Sequence, residues 1–490
     1  MSASIPAAAG SAAAVGGVGA VAADPLLSQI ADYVTDYRIG DTASLDAARL
    51  CLFDSLACAL EALGHPECVR LLGPIAPGTV VPHGARVPGT SHVLDPAKAT
   101  FDLGSMIRWL DYNDACSGAL TIHPSDALAG VLMLGDYLSR SRAAEGGKPL
   151  RMADLLDAAV RVYEIQGALC AHNDFRKRGI DQPLMVRAAV ASVLTRMLGG
   201  GRAAVLNAVS NAFVDTTLLG IRQAPNIGSR KNWAAAQASE GAVRLAFMAM
   251  KGEDGYPWIL SAKDYGFQDS RMGGEALRLD GPLGEGVISR CMFKLLPAGI
   301  HGQTAGECAF TLHTQVLPRL DEIERIELHC HRALARIMDK PGVLRNSADR
   351  DHCVQYIVAV GLLHGRIGLD DYGDAFAADP RIDALRARMT LSEDPRYTEG
   401  FFDPAQRSSA NAIEVRFRDG TTTGRIEREY PLGHPRRRAE ALPALAAKFE
   451  HALRRLPAAQ RERMLALRDD PALDQMPVHE FVDTMALRTD

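Results

Sequence analysis

From residue 25 to about 250 the chain reads as one helical segment after another, and this monotony restricts its fold more than any other feature. Leu26, Ile30, Tyr33 and Val34 form one amphipathic stripe, and residues 44–63 form a second, rich in Ala, Leu and Cys. Segments 125–140, 152–171, 183–198, 203–216 and 234–251 continue the pattern. Gly or Pro marks the joints, as at Gly64-His65-Pro66 and Gly199-Gly200-Gly201. Few of these segments alternate with period two, so this half predicts a helical domain whose small Ala side chains let helices approach closely.

Near residue 285 the pattern changes. Residues 323–331 alternate like a strand. Residues 413–418 alternate again, Asp419-Gly420 supplies a turn suited to a hairpin, and 421–430 return. Helices are predicted at 301–315 and 351–366, and the chain is helical again beyond Pro435. The fold class expected is mainly α: a large all-helical domain plus a smaller α+β lid domain. A length of 490 residues calls for two or three domains. The boundaries expected are a disordered leader at 1–24, helical domain at 25–287, lid at 288–434, and a helical return at 435–490. The run Arg436-Arg437-Arg438 reads as surface charge flanking a helix.

A net charge of -5 argues against nucleic-acid binding, which needs a basic face. None of the nine cysteines forms a Cys-x-x-Cys pair, so no metal or iron–sulfur site is expected, and scattered thiols fit a reducing cytoplasm. No run is long and apolar enough for a membrane helix.

Four clusters carry candidate chemistry. Ser229-Arg230-Lys231-Asn232-Trp233 follows the breaker run Pro225-Asn226-Ile227-Gly228 and opens an Ala-rich helix. Two cations at the positive end of a helix dipole fit a bound anion; they also fit an exposed turn with solvated charges. Asp111-Tyr112-Asn113-Asp114 precedes His123-Pro124-Ser125-Asp126, which places carboxylates beside an acid/base candidate, His123, while Asp126 reads as a helix cap. Lys294 is a lone cation in apolar surroundings and needs an anionic partner, with His301 at the start of the next helix. The run from Asp349 through Arg350, Asp351 and His352 to Tyr356 opens another helix; Arg350 has the fork to clamp a carboxylate. No dinucleotide fingerprint, phosphate loop or Gly-x-Ser-x-Gly elbow appears. The combination suits proton transfer on a polyanionic acid without a cofactor.

Tyr163-Glu164-Ile165-Gln166-Gly167, Ser229 through Ala235, Gly255-Tyr256-Pro257, Phe293-Lys294 and Asp349 through Tyr356 resemble the 2-methylcitrate dehydratase family of the MmgE/PrpD superfamily, over about residues 25–480. The resemblance implies a homodimer with the site between the two domains, and cofactor-independent dehydration of 2-methylcitrate to 2-methyl-cis-aconitate in propionate catabolism. A related branch decarboxylates cis-aconitate, and its site residues resemble Asp111, His123, Lys231, Lys294 and Tyr356 here. The ligand expected is a small tricarboxylate, with Arg230, Arg350, Asp114, His301 and His352 as further binding candidates. One departure stands out: the family usually shows a His where this chain has Gln182, which has no acid/base function near neutral pH. It keeps open a decarboxylase or epimerase of a related polycarboxylate. A non-catalytic helical binding protein is a more distant alternative, and predicts that the charged clusters lie scattered on the surface.

Overall fold

The computed structural model describes residues 22–215, 227–279 and 281–487. Most of the leader expected at 1–24, together with Pro225 and Asn226, lies outside them. Asp24, at the leader's end, is buried: its backbone N–H donates to the Pro257 carbonyl (2.7 Å) and its carboxylate accepts from the Leu260 N–H (2.7 Å).

The first part of the chain is helical, as its periodicity predicts. It contains α1 (Pro25–Asp36), α2 (Thr42–Ala62), α3 (Pro96–Arg108), α4 (Leu128–Ala144), α5 (Met152–His172), α6 (Pro183–Met197), α7 (Arg202–Asn211) and α8 (Arg230–Met250). Asp41 and Asp95 cap α2 and α3, each accepting two backbone N–H bonds of the first turn. Helix α3 is not among the helices that the sequence pattern predicts. Every residue of this helix except Phe101 is buried, the charged Lys98, Asp102 and Arg108 included, so its composition does not read as that of a core helix. A Cβ added at Gly104 of α3 would lie 2.9 Å from the Ala236 Cβ of α8, so these two helices meet almost backbone to backbone. Gly104→Val should push them apart and cost about 1–3 kcal/mol in urea unfolding, the usual penalty of overpacking.

The second part holds α9 (Gln303–Val316), β1 (Ile323–Cys330), α10 (Val354–His364), β2 (Met389–Glu393), β3 (Asn411–Phe417) and β4 (Ile426–Arg428). The sheet order is β2-β1-β3-β4. In register, Leu328 of β1 lies between Leu391 of parallel β2 and Ile413 of antiparallel β3. Ile413 in turn pairs with Ile426 of β4, across the expected Asp419-Gly420 turn, where Gly420 has φ +85°. β2 escaped the sequence reading because it is short and none of its residues is fully buried.

One apolar core runs from Leu26 to Phe293 and takes in residues 441–485; a second gathers Ala298 to Phe417. Helix α11 (Arg438–Ala452) packs back on the first core. Its buried Lys448 donates to Asp54 of α2 (2.7 Å) and to the carbonyls of Tyr112 (2.8 Å) and Lys294 (3.3 Å). The arginine run is structural as well as superficial: Arg437 pairs with Glu307 (2.9 Å) and Arg438 donates to the Cys291 carbonyl (2.6 Å). Among the described residues no helix is long and apolar enough to cross a membrane.

Candidate active site

Helix α3 ends at Arg108, and three residues later the backbone turns sharply. Asp111 has φ +49°, a left-handed conformation that Asp tolerates better than most residues, and its N–H donates back to the Arg108 carbonyl (3.2 Å). The turn folds its carboxylate onto Arg108, with which it forms a buried ion pair. Lys294 donates to the same carboxylate (3.0 Å) and to the Asp111 carbonyl (2.8 Å). Lys231 Nζ lies 3.7 Å away and His352 Nε2 3.8 Å away. Burial opposes the charge on Asp111, yet Arg108, Lys231 and Lys294 together hold its carboxyl well below the usual range. Burial acts in the same way on Lys294 and, against the pull of Asp111, brings its ammonium down to about 8.

His123 stands beside this group. Its Nδ1 is 2.6 Å from the Asp114 carbonyl, which only accepts, so the ring proton sits on Nδ1 and Nε2 keeps its lone pair. Burial, with Arg108 and Lys294 nearby, holds the ring well below the usual imidazole range, hence neutral. The Asp114 carboxylate is itself fully engaged, accepting from Ser125 Oγ (2.6 Å), the Ser125 N–H (3.2 Å) and the Tyr163 hydroxyl (2.7 Å). Asp114 therefore braces the loop and does not face a ligand.

A small cavity of about 40 Å³ opens onto these groups. Arg108, Asp111, His123, Arg176 and Gln182 line it from the first core's side; His301, Met338 and His352 line it from the second. His352 pairs through Nδ1 with Asp351, and burial, then Lys231, lowers its proton affinity. His301 is buried against the rings of His331 and Phe401, and burial keeps it neutral.

Of the residues expected at a site, Asp111, His123, His301 and His352 thus share one cavity, with Lys231 and Lys294 just behind Asp111. The two cations expected at the start of α8 do sit there, at its first two positions. They part ways. Lys231 turns inward to Asp351 (3.2 Å) and Asp111, so internal carboxylates answer the unfavourable charge at that helix end. Arg230 is exposed, lies over the Trp233 ring and bonds Gln237 (2.7 Å). Arg350 is spent on the Tyr372 carbonyl and Asp374, each 2.7 Å away. Tyr356 is not brought to the cavity either: its hydroxyl donates to the Asp371 carbonyl (2.6 Å) and its ring stacks on Tyr372. Asp349 has a structural use, accepting from the Ile227 N–H (3.0 Å) and so tying the approach to α8 onto the second core.

Sequence reading passed over Arg108, Arg176, Asp181 and the role of Asp351. Arg108 gave no signal, because a cation in the last turn of a helix is where one is expected. Arg176 hides in the exposed-looking run Arg176-Lys177-Arg178. In formal charge, Arg108, Arg176, Lys231 and Lys294 stand against Asp111, Asp126, Asp181 and Asp351, with the three histidines neutral. Among the described residues no three His, Cys, Asp or Glu side chains gather as a metal site would require.

A helical body, a second α+β core and a cation-ringed carboxylate at their seam define the class, and the chain belongs to the MmgE/PrpD family. The family's N-terminal domain matches residues 28–280 and its C-terminal domain residues 296–470. Among individual relatives, the chain is 48% identical over 471 residues to a 2-methylcitrate dehydratase of Cupriavidus necator, covering 95% of this chain and 97% of that protein. It is 47% identical over 467 residues to the 2-methylcitrate dehydratase of Escherichia coli (strain K12), covering 94% and 97%. The mitochondrial 2-methylcitrate dehydratase of Yarrowia lipolytica is 44% identical over 468 residues, covering 94% and 90%.

Proposed function

We propose that this chain is a hydro-lyase that dehydrates 2-methylcitrate to 2-methyl-cis-aconitate, using protein side chains alone. The observation that carries this reading is similarity to 2-methylcitrate dehydratases over nearly the whole of both chains. The site supplies groups suited to the chemistry. Elimination of water needs a base for the C–H proton beside a carboxylate and a proton for the departing hydroxyl. His123 Nε2, with its free lone pair, takes the carbon's proton, and the electron pair left behind forms the double bond. Lys294, poised near its working range at about 8, is the proton source. Asp111 is ionised and stands between Lys294 and the cavity, so the proton crosses from Lys294 through its carboxylate to the departing hydroxyl; Lys294 is left neutral, Asp111 stays ionised, and water leaves. Arg108 and Arg176 face the substrate carboxylates, where paired cations stabilise the charge that builds on the activated carboxylate. His301 and His352 orient it.

A neutral His123 with a strongly depressed proton affinity is a weak base in the free protein. Three bound carboxylates raise that affinity toward working pH and make it a competent one. The acid limb of kcat should accordingly lie at higher pH than the acid limb of kcat/KM. On the alkaline side, kcat/KM should fall as Lys294 loses its proton near about 8. Lys294→Met should lower activity at neutral pH and flatten that alkaline limb; an unchanged limb would remove Lys294 from the mechanism.

The direct test is turnover of 2-methylcitrate, citrate and cis-aconitate side by side, with and without a chelator. Unsaturated-acid absorbance from 2-methylcitrate, retained in chelator, is expected; CO2 release from cis-aconitate as the main activity would replace the dehydratase reading with a decarboxylase. From the family resemblance we further propose a homodimer acting in propionate catabolism, and the nine unpaired thiols favour a reducing compartment such as the cytoplasm. Sedimentation at micromolar concentration tests the dimer.

A further inference from the structure

Gln182 begins the turn into α6 and lines the cavity, yet it has no acid or base to offer. Its amide is used at both ends. The side-chain carbonyl accepts the backbone N–H of His123 (2.8 Å), and the amide nitrogen donates to Asp126 Oδ2 (2.7 Å). Asp126 is buried; its other oxygen accepts from Asn113 (3.0 Å), and the oxygen held by Gln182 lies 3.8 Å from Arg108 Nε. Arg108 is thus shared between Asp111, its close partner, and Asp126. We infer that Gln182 is a positioning residue for the dehydration, one whose amide fixes the backbone of His123 and holds Asp126 so that Arg108 stays on Asp111.

The inference rests on the reading of His123 as the base. Only a group that accepts at one end and donates at the other satisfies both contacts. A carboxylate in the same place still accepts from His123, but sets a second negative oxygen against Asp126. That repulsion tilts the side chain and draws Arg108 toward the two carboxylates, away from Asp111. Protonation cures the fault, because a neutral carboxyl donates to Asp126 through its O–H and accepts from His123 through its C=O. Like-charge proximity raises the carboxyl's affinity for that proton. Gln182→Glu is therefore a pH-dependent copy of the wild-type contact, whereas Gln182→Met lacks both bonds at any pH.

The experiment measures kcat and KM for 2-methylcitrate from about pH 5.5 to about pH 8.5 in wild type, Gln182→Glu, Gln182→Met and His123→Asn, with thermal unfolding as a check on folding. A misplaced base costs on the order of 10–100-fold in kcat. Gln182→Met should show that loss at every pH, with a smaller rise in KM, since the contact reaches the substrate only through Arg108. Gln182→Glu should show it at high pH and regain most of it, relative to wild type, as pH falls. A Gln182→Glu to wild-type ratio that stays flat across the range would overturn the inference, even if Gln182→Met failed to fold. A change confined to KM would overturn it too, making Gln182 a substrate contact. Should His123→Asn retain turnover, the reading of His123 fails; with His123→Asn inactive and the Gln182→Glu ratio flat, only the positioning role fails.

Discussion

Asp111→Ala is expected to abolish measurable turnover and to destabilise the protein by about 3–5 kcal/mol, the cost of leaving buried charges without their partner. The size of the effect follows from the crowding around one carboxylate. Arg108, Lys294 and Lys231 all converge on it, and side-chain exposures are 3% or less for Arg108, Lys294, Lys231 and Asp111 itself. Without the anion, three cations face each other, with Asp351 and Asp126 left beside them among the described residues. Asp111→Asn keeps the shape and the left-handed turn, which Asn also tolerates, and so separates charge from geometry. It should lose most of the stability and all of the proton relay. Pairing Asp111→Ala with Lys294→Met removes an anion and a cation together. The double variant should be less destabilised than the sum of the two single ones, because deleting both members of a buried pair strands less charge than deleting one. Urea unfolding of the four proteins measures the coupling. Additive losses would mean that Lys294 and Asp111 are neighbours without being partners.

How much of this was legible beforehand depends on whether a residue breaks a local rule. Helices rich in Ala and Leu announced themselves; α3, with Lys98, Asp102 and Arg108 among its buried residues, did not, although Arg108 ends it and Asp111 follows three residues later. Lys231 broke a rule visibly, as a cation at the positive end of a helix. The anomaly marked the right place, but the sequence had no means of naming its partner, Asp351, 120 residues away. Arg108 obeyed every local rule and stayed hidden. Tyr356 misled for a related reason. It lies within two turns of Asp351 along the chain, but α10 points it at the Asp371 carbonyl. Proximity in sequence does not give proximity in a site unless the helix face is known. The charged clusters converge rather than scatter, which speaks against a surface-binding scaffold. Gln182, where the resemblance leads one to expect His, has a structural use of its own: its amide holds both Asp126 and the backbone of His123.

His123→Asn should lower kcat by about 10²–10⁴-fold while leaving folding nearly untouched, the range a positioned general base contributes. Asn is the informative replacement. Its amide N–H₂ can take over the donation that His123 Nδ1 makes to the Asp114 carbonyl, so the loop from Asp111 to Asp126 keeps its brace. What vanishes is the lone pair on Nε2 facing the cavity. Because the ring is neutral, its removal takes away no charge from a balanced cluster, and stability should change far less than for Asp111→Ala. KM should move little, since the carboxylates of the substrate meet Arg108 and Arg176, not the imidazole. Solvent deuterium sharpens the test. If His123 removes the carbon-bound proton, wild type run in D₂O with the product acid present should wash deuterium into 2-methylcitrate, and His123→Asn should suppress that exchange in step with turnover. Exchange that survives while net dehydration stops would assign the base elsewhere, with His352 the first residue to examine, because its ring faces the same cavity from the other wall.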